Sequence, residues 1–90
     1  MRVDLLLKAL CLVKTRSQGK KGCEAGAVKI NGKAVKPGRE VKAGDILEIK
    51  YPKRVVVAEI VDVPRGQVAR KDRDDYVRIL RERKTEAEIW

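Results

Sequence analysis

The heptapeptide AVKINGK, Ala27 to Lys33, constrains the fold more than any other stretch of this chain. Val28 and Ile30 alternate with Lys29, which puts both apolar side chains on one face of an extended segment. Asn31-Gly32 then supplies two residues that tolerate positive φ, as a two-residue type I′ hairpin turn requires. A return strand over Lys33 to Val35 follows. Gly26, just upstream, is the expected left-handed stop of a preceding helix. The chain therefore switches from helical to alternating period at residue 26, and an α+β fold is expected.

Two helices are predicted before that switch. In VDLLLKALCLV, Asp4 is placed to cap a helix whose Leu6, Ala9, Leu10 and Val13 recur at helical spacing, giving a first helix over roughly residues 4 to 12. TRSQ at Thr15 to Gln18 fits the capping-box pattern and opens a second helix that ends at Gly26. Gly19 and Gly22 each weaken that helix by about 1 kcal/mol relative to alanine. Either small residues are needed where the helices touch, or the second helix is soft.

Downstream, Pro37-Gly38 and Gly44-Asp45 mark turns, ILEIKY alternates, and RVVVAEIVDV is rich in β-branched residues. Together with the hairpin these predict a small antiparallel sheet of four or five strands, broken by Pro64-Arg65-Gly66. From Asp72 onward, DRDDYVRILRERKTEAE has acids in its first turn and an apolar stripe of Tyr76, Val77 and Leu80, which predicts a terminal helix. The expected organisation is two N-terminal helices on the sheet over residues 1–65, with a C-terminal helical extension over 66–90.

Charge points to the partner. The 90 residues carry 22 Lys plus Arg against 13 Asp plus Glu, a net +9, which suits a phosphate-rich ligand. Residues 1–50 hold 12 basic and 5 acidic side chains, whereas residues 51–90 hold 10 and 8, so the binding face is expected in the first half. Phe is absent and only Tyr51, Tyr76 and Trp90 are aromatic. Stacking on exposed single strands is therefore disfavoured, and recognition of folded RNA by shape and backbone is favoured.

Other classes lose support on composition. The apolar runs Leu5-Leu6-Leu7 and Ala9 to Val13 are split by Lys8 and preceded by Asp4, so neither a secretory signal nor a membrane span is expected, and the protein reads as intracellular. Cys11 and Cys23 occur without any histidine, which argues against zinc spacings and a Cys/His nucleophile; both read as small apolar residues on helices. No metal or cofactor is expected. Asp74 and Asp75 are adjacent, so on a helix they diverge by about 100° instead of converging as a catalytic pair. A basic module for an acidic protein is a lesser alternative.

The segment from Leu12 to Lys33 concentrates the candidate binding residues. At the start of the second helix, Arg16, Ser17 and the amides after Thr15 can hold a phosphate, while Lys14, Lys20 and Lys21 neutralise its neighbours. Lys8 on the first helix joins this set. The competing reading is that Thr15 only caps and Arg16 only pairs with Asp4.

These residues also carry a resemblance. Arg2-x-Asp4, LVKTRS at Leu12 to Ser17, AGAVKINGK at Ala25 to Lys33 and Gly44-Asp45 occur in the order seen in the α-L RNA-binding motif of the ribosomal-protein-S-four type. The similarity covers about residues 1–50. The remainder resembles the short ribosome-associated branch, which includes the fifteen-kilodalton heat-shock proteins and the ribosome-associated quality control P proteins. The chain departs from the family pattern at Cys11, Gly19 and Gly22.

The resemblance implies RNA contacts at Arg2, Lys14, Thr15, Arg16, Ser17, Lys20, Asn31 and Lys33. It further implies a monomeric, cytoplasmic, non-catalytic factor that binds ribosomal RNA and tRNA on stalled large subunits, with a rescue-complex protein as a further partner and no membrane involvement. The alternative is a ribosome-assembly or generic structured-RNA factor.

Overall fold

A computed structural model of the chain describes residues 1–84. Two helices, α1 (Val3–Ala9) and α2 (Arg16–Glu24), precede β1 (Val28–Ile30), β2 (Lys33–Ala34), β3 (Ile46–Tyr51) and β4 (Arg54–Ile60). A 3-10 turn (Arg70–Asp75) and β5 (Val77–Lys84) follow. The strands form one antiparallel sheet in the order β2-β1-β3-β4-β5, so the α+β class holds.

The hairpin forms where the sequence places it. Asn31 and Gly32 adopt φ of 53° and 84°, and Ile30 pairs with Lys33 across the turn. Asn31 does more than turn the chain. Its Nδ2 donates to Asp45 Oδ1 at 3.1 Å and its Oδ1 accepts from the Ile46 amide at 2.9 Å, stitching the hairpin to the start of β3. Asp45 is buried there and also takes the Lys42 amide at 3.0 Å, so its charge is met by donors as a buried carboxylate requires.

Leu6, Leu7 and Leu10 of the α1 region enter one core with Val28, Ile30, Leu47, Ile49, Ile60 and Val77 from the sheet. Alternation sets that face: Leu47 lies opposite Ala58 and Ile49 opposite Val56, which carries the buried row from β3 onto β4. α2 adds only Cys23 to this cluster. At Gly19 a Cβ would lie 3.0 Å from the backbone oxygen of Asp4, so close approach of the two helices is what demands glycine at that position.

Three expectations are corrected. α1 is shorter than periodicity suggests, and its N-cap is Arg2, without a side-chain cap bond; the Asp4 carboxylate instead takes the Leu5 amide at 2.8 Å and faces α2. Cys11 is not helical. It adopts φ 58°, and the amides of Leu12 and Val13 both return to the Leu7 carbonyl, which ends the helix early and still leaves both residues buried. Cys23 does lie on α2 and is buried.

The third correction concerns the terminus. Residues 77–84 form a strand paired along β4 from Ile60↔Val77 to Arg54↔Lys84, with a bulge at Val57/Ala58, where a helix was expected. β4 is long and β-branched, and left unpaired it would expose a row of backbone donors and acceptors. Pairing answers that demand, and Val77 at 1% exposure closes the core. The acids Asp72, Asp74 and Asp75 support only the 3-10 turn. The end of the expected helix, residues 85–90, lies outside the described residues.

Candidate nucleic-acid interface

The site is built around a buried carboxylate. The Asp4 side chain is only 2% exposed, and its Oδ2 accepts from Arg2 at 3.2 Å and from Arg16 Nε at 3.5 Å. Arg2 precedes α1 and Arg16 begins α2, so the ion pairs join the starts of both helices. The arginine side chains remain 46% and 49% exposed, which leaves guanidinium donors of each facing solvent. A guanidinium offers five N–H donors, so engagement with one carboxylate oxygen does not exhaust it.

Ser17 and Lys20 complete a recess of about 350 Å³ with Arg2, Asp4 and Arg16. Arg16 and Lys20 are one turn apart on α2 and therefore share a face. The recess combines two arginine forks, a lysine, a hydroxyl and the amide end of a nine-residue helix. That set suits a phosphate, through bidentate arginine contacts and backbone N–H groups.

Thr15 forms the cap at the start of α2. Its Oγ1 accepts from the Gln18 amide at 3.1 Å. The reciprocal half of the capping box is displaced by one residue, with Gln18 Oε1 accepting from the Lys14 amide at 3.2 Å. Thr15 thus serves by fixing the helix start, and Arg16 is the structural partner of Asp4 while about half of its side chain stays exposed.

The other predicted residues divide. Lys8 and Lys14 line a separate cleft on the far flank of the α2 start. Lys21 is exposed on α2, and Lys33 is exposed on the edge strand β2; neither lines the recess. The Asn31 side chain spends its hydrogen bonds inside the fold, on Asp45 and Ile46. The pairing of Arg16 with Asp4 is the competing reading of the sequence; what sequence reasoning missed is that Arg2 shares the same carboxylate oxygen. The signal was available in Arg2-x-Asp4, because an acid two residues from a basic one at a helix start reads equally as a cap.

The buried thiol of Cys23 lies behind this site. Burial first, and the charges of Asp4 and Glu24 second, push its pKa up from 9.0 to about 11, so it stays protonated and behaves as a small apolar side chain. Tyr51 is also pushed up, chiefly by burial, with Arg54 and Arg73 opposing. No group of metal-ligating side chains occurs among the described residues, and no helix among them is long and apolar enough to cross a membrane.

The S4 domain family model matches residues 1–47, which include both helices, the hairpin and Asp45. A protein of Helicobacter pylori strain J99 named RQC P-site tRNA stabilizing factor is 38% identical over 78 residues, covering 86% of this chain and 93% of that one. The chain belongs to the S4 domain family. A protein of the same name from Halalkalibacterium halodurans is 41% identical over 63 residues, or 70% of this chain and 72% of that one. The fold is shared with the solved structure of Vibrio cholerae heat shock protein 15, at a TM-score of 0.83 and 24% identity over 88% of this chain and 80% of that one. In this S4 domain protein the recess at Arg2, Asp4 and Arg16 falls wholly inside the matched residues.

Proposed function

We propose that the chain is a non-catalytic, cytoplasmic RNA-binding protein that acts on the ribosome in quality control, holding tRNA on stalled large subunits by contacting ribosomal RNA and tRNA together. The observation that carries this reading is the pair of arginines pre-set on Asp4 beside the amide end of α2. Guanidinium forks already fixed in direction lose less freedom on gripping a phosphate than mobile ones do. The names of the relatives favour tRNA in the P-site as one of the two RNAs. Catalysis is not part of the reading: the recess offers cations and one fully engaged carboxylate, and no poised base.

Sequencing the RNA crosslinked to this protein in cells, together with the sedimentation of its complexes, tests the reading. Large-subunit ribosomal RNA and tRNA should dominate, in particles sedimenting as large subunits. Crosslinks confined to messenger RNA or to small-subunit RNA would contradict it.

A further inference from the structure

A second cationic concavity, of about 450 Å³, opens on the far flank of the α2 start. Its walls come from separated parts of the chain: Lys8 on α1, Lys14 and Gln18 around the Thr15 cap, Tyr51 and Arg54 across the β3–β4 turn, and Arg70 at the start of the 3-10 turn. Tyr51, Arg54 and Arg70 lie beyond the residues that match the S4 domain.

The cleft is built, not merely a gap between lysines. Tyr51 Oη donates to the Leu12 carbonyl at 2.7 Å, which ties the β3–β4 turn to the loop between the helices. The Arg54 guanidinium carbon sits 4.7 Å over the centre of the Tyr51 ring, and its Nη1 is held by Glu82 at 2.9 Å. Arg54 is thereby a flat cation fixed in place. Lys8 Nζ donates to Gln67 Oε1 at 3.3 Å, while Gln67 Nε2 lies 3.4 Å from both Cys11 Sγ and the Val68 carbonyl. Among the described residues, the side chains of Lys14 and Arg70 have no partner, and no acid lines the cleft.

We propose that this cleft is a second RNA-contacting site, which takes phosphates of an RNA segment other than the one gripped at Arg2 and Arg16; it rests on the function proposed above. Arg16 and Lys20 project from one face of α2, whereas Gln18 lies about 200° around the helix from Arg16. The two concavities therefore open to different sides and are addressed by different segments. Leu12 and Val13 are buried at the floor, and the rim carries the cations Lys8, Lys14 and Arg70, the amides of Gln18 and Gln67 and the guanidinium plane of Arg54, beside apolar surface that includes the Tyr51 ring. Phosphates match the unpartnered Lys14 and Arg70, and a base can stack on the guanidinium plane of Arg54.

Photo-crosslinking from the full chain tests this. p-Benzoylphenylalanine is incorporated at position 70 and, separately, at position 20, and each protein is bound to purified large ribosomal subunits carrying peptidyl-tRNA. Nucleotides crosslinked from position 70 should belong to a segment different from those crosslinked from position 20. Position 70 reaching only protein, no RNA, or the same nucleotides as position 20 overturns the second site. If position 20 also fails to reach RNA, the proposed function falls with it, so the two failures are distinguishable. As a second measurement, Lys14→Gln with Arg70→Gln should weaken binding to these particles about tenfold and reduce the log–log salt slope by roughly 1.4 to 1.8, as loss of two phosphate contacts requires. Both side chains are exposed, so the melting temperature should not move. Unchanged affinity and slope overturn the proposal.

Discussion

Arg16 Nε donates to Oδ2 of Asp4 at 3.5 Å across the contact of the two helices, and the carboxylate that receives it is buried. Because Arg2 donates to the same oxygen, Asp4 aims both guanidinium groups at once. Asp4→Asn separates aim from charge. It makes the recess more cationic, which by Coulomb attraction alone would tighten RNA binding, but it frees two long side chains. Ordering a rotamer-rich side chain costs about 0.5–1.5 kcal/mol, so affinity should fall roughly five- to a hundredfold. Equilibrium binding to large ribosomal subunits checks this, and tighter binding would show that Asp4 does not position the pair.

Arg16 itself is tested by chemistry at constant charge. Arg16→Lys keeps the positive charge but loses the planar fork, so RNA binding should weaken, and Arg16→Ala should weaken it further. Arg2 and the Leu5 amide still serve Asp4 in both variants, so the stability loss should stay near 1 kcal/mol by urea unfolding. Lys53→Ala, which removes an exposed charge outside both concavities, is the control and should cost little binding.

Gly19 offers a test in which local and tertiary forces oppose. Helix propensity alone makes Gly19→Ala stabilising by about 1 kcal/mol. The added Cβ would meet the Asp4 carbonyl oxygen at 3.0 Å, and that atom belongs to backbone that moves reluctantly. The expected outcome is a net loss on the order of 1 kcal/mol, with weaker RNA binding as Arg16 is pushed away from Asp4. Gly66→Ala, with nothing within 4 Å of its new Cβ, should be neutral or stabilising.

How much of this was legible in the sequence varies with the range of the interaction that decides each element. The hairpin at Asn31-Gly32 and the Thr15 cap are local chemistry, and both appear where the residues place them. The terminal strand was not legible, because YVRIL satisfies helical and alternating patterns alike and the choice falls to β4, more than fifteen residues away in the chain. At the site, Arg16, Ser17 and Lys20 could be read from spacing on one helix. The Arg16–Asp4 pair could be read only as an alternative, since it depends on a contact between helices that Gly19 permits, and the part of Arg2 was hidden by reading Asp4 as a cap. Tyr51, Arg54 and Arg70 meet Lys14 only through the tertiary fold, and no local motif marks them.

Alkaline titration reports on the packing behind the recess. The folded protein holds the Cys23 proton up to about pH 11, whereas the unfolded chain releases it near 9.0. The stability linked to this thiol is therefore complete below pH 9 and is lost as pH rises towards 11, by on the order of 1–3 kcal/mol. Tyr51, raised by burial, acts in the same direction above its ordinary 10.0. Urea unfolding at pH 8, 9, 10 and 11 should show the fall, and Cys23→Ala should remove the share due to the thiol between pH 9 and 11. A pH-independent free energy would mean that the thiol is accessible to water in the folded state.

The most direct test of the twin-arginine recess is the salt dependence of binding to large ribosomal subunits, measured for the natural chain and for Arg2→Gln with Arg16→Gln. Each phosphate contact contributes roughly 0.7–0.9 to the slope of log affinity against log salt. Loss of both forks should lower the slope by about 1.4 to 1.8 and the affinity by at least about tenfold at moderate salt. Parallel lines with equal affinity would mean that the arginines serve only to hold the helices on Asp4, and that RNA is bound elsewhere on the protein.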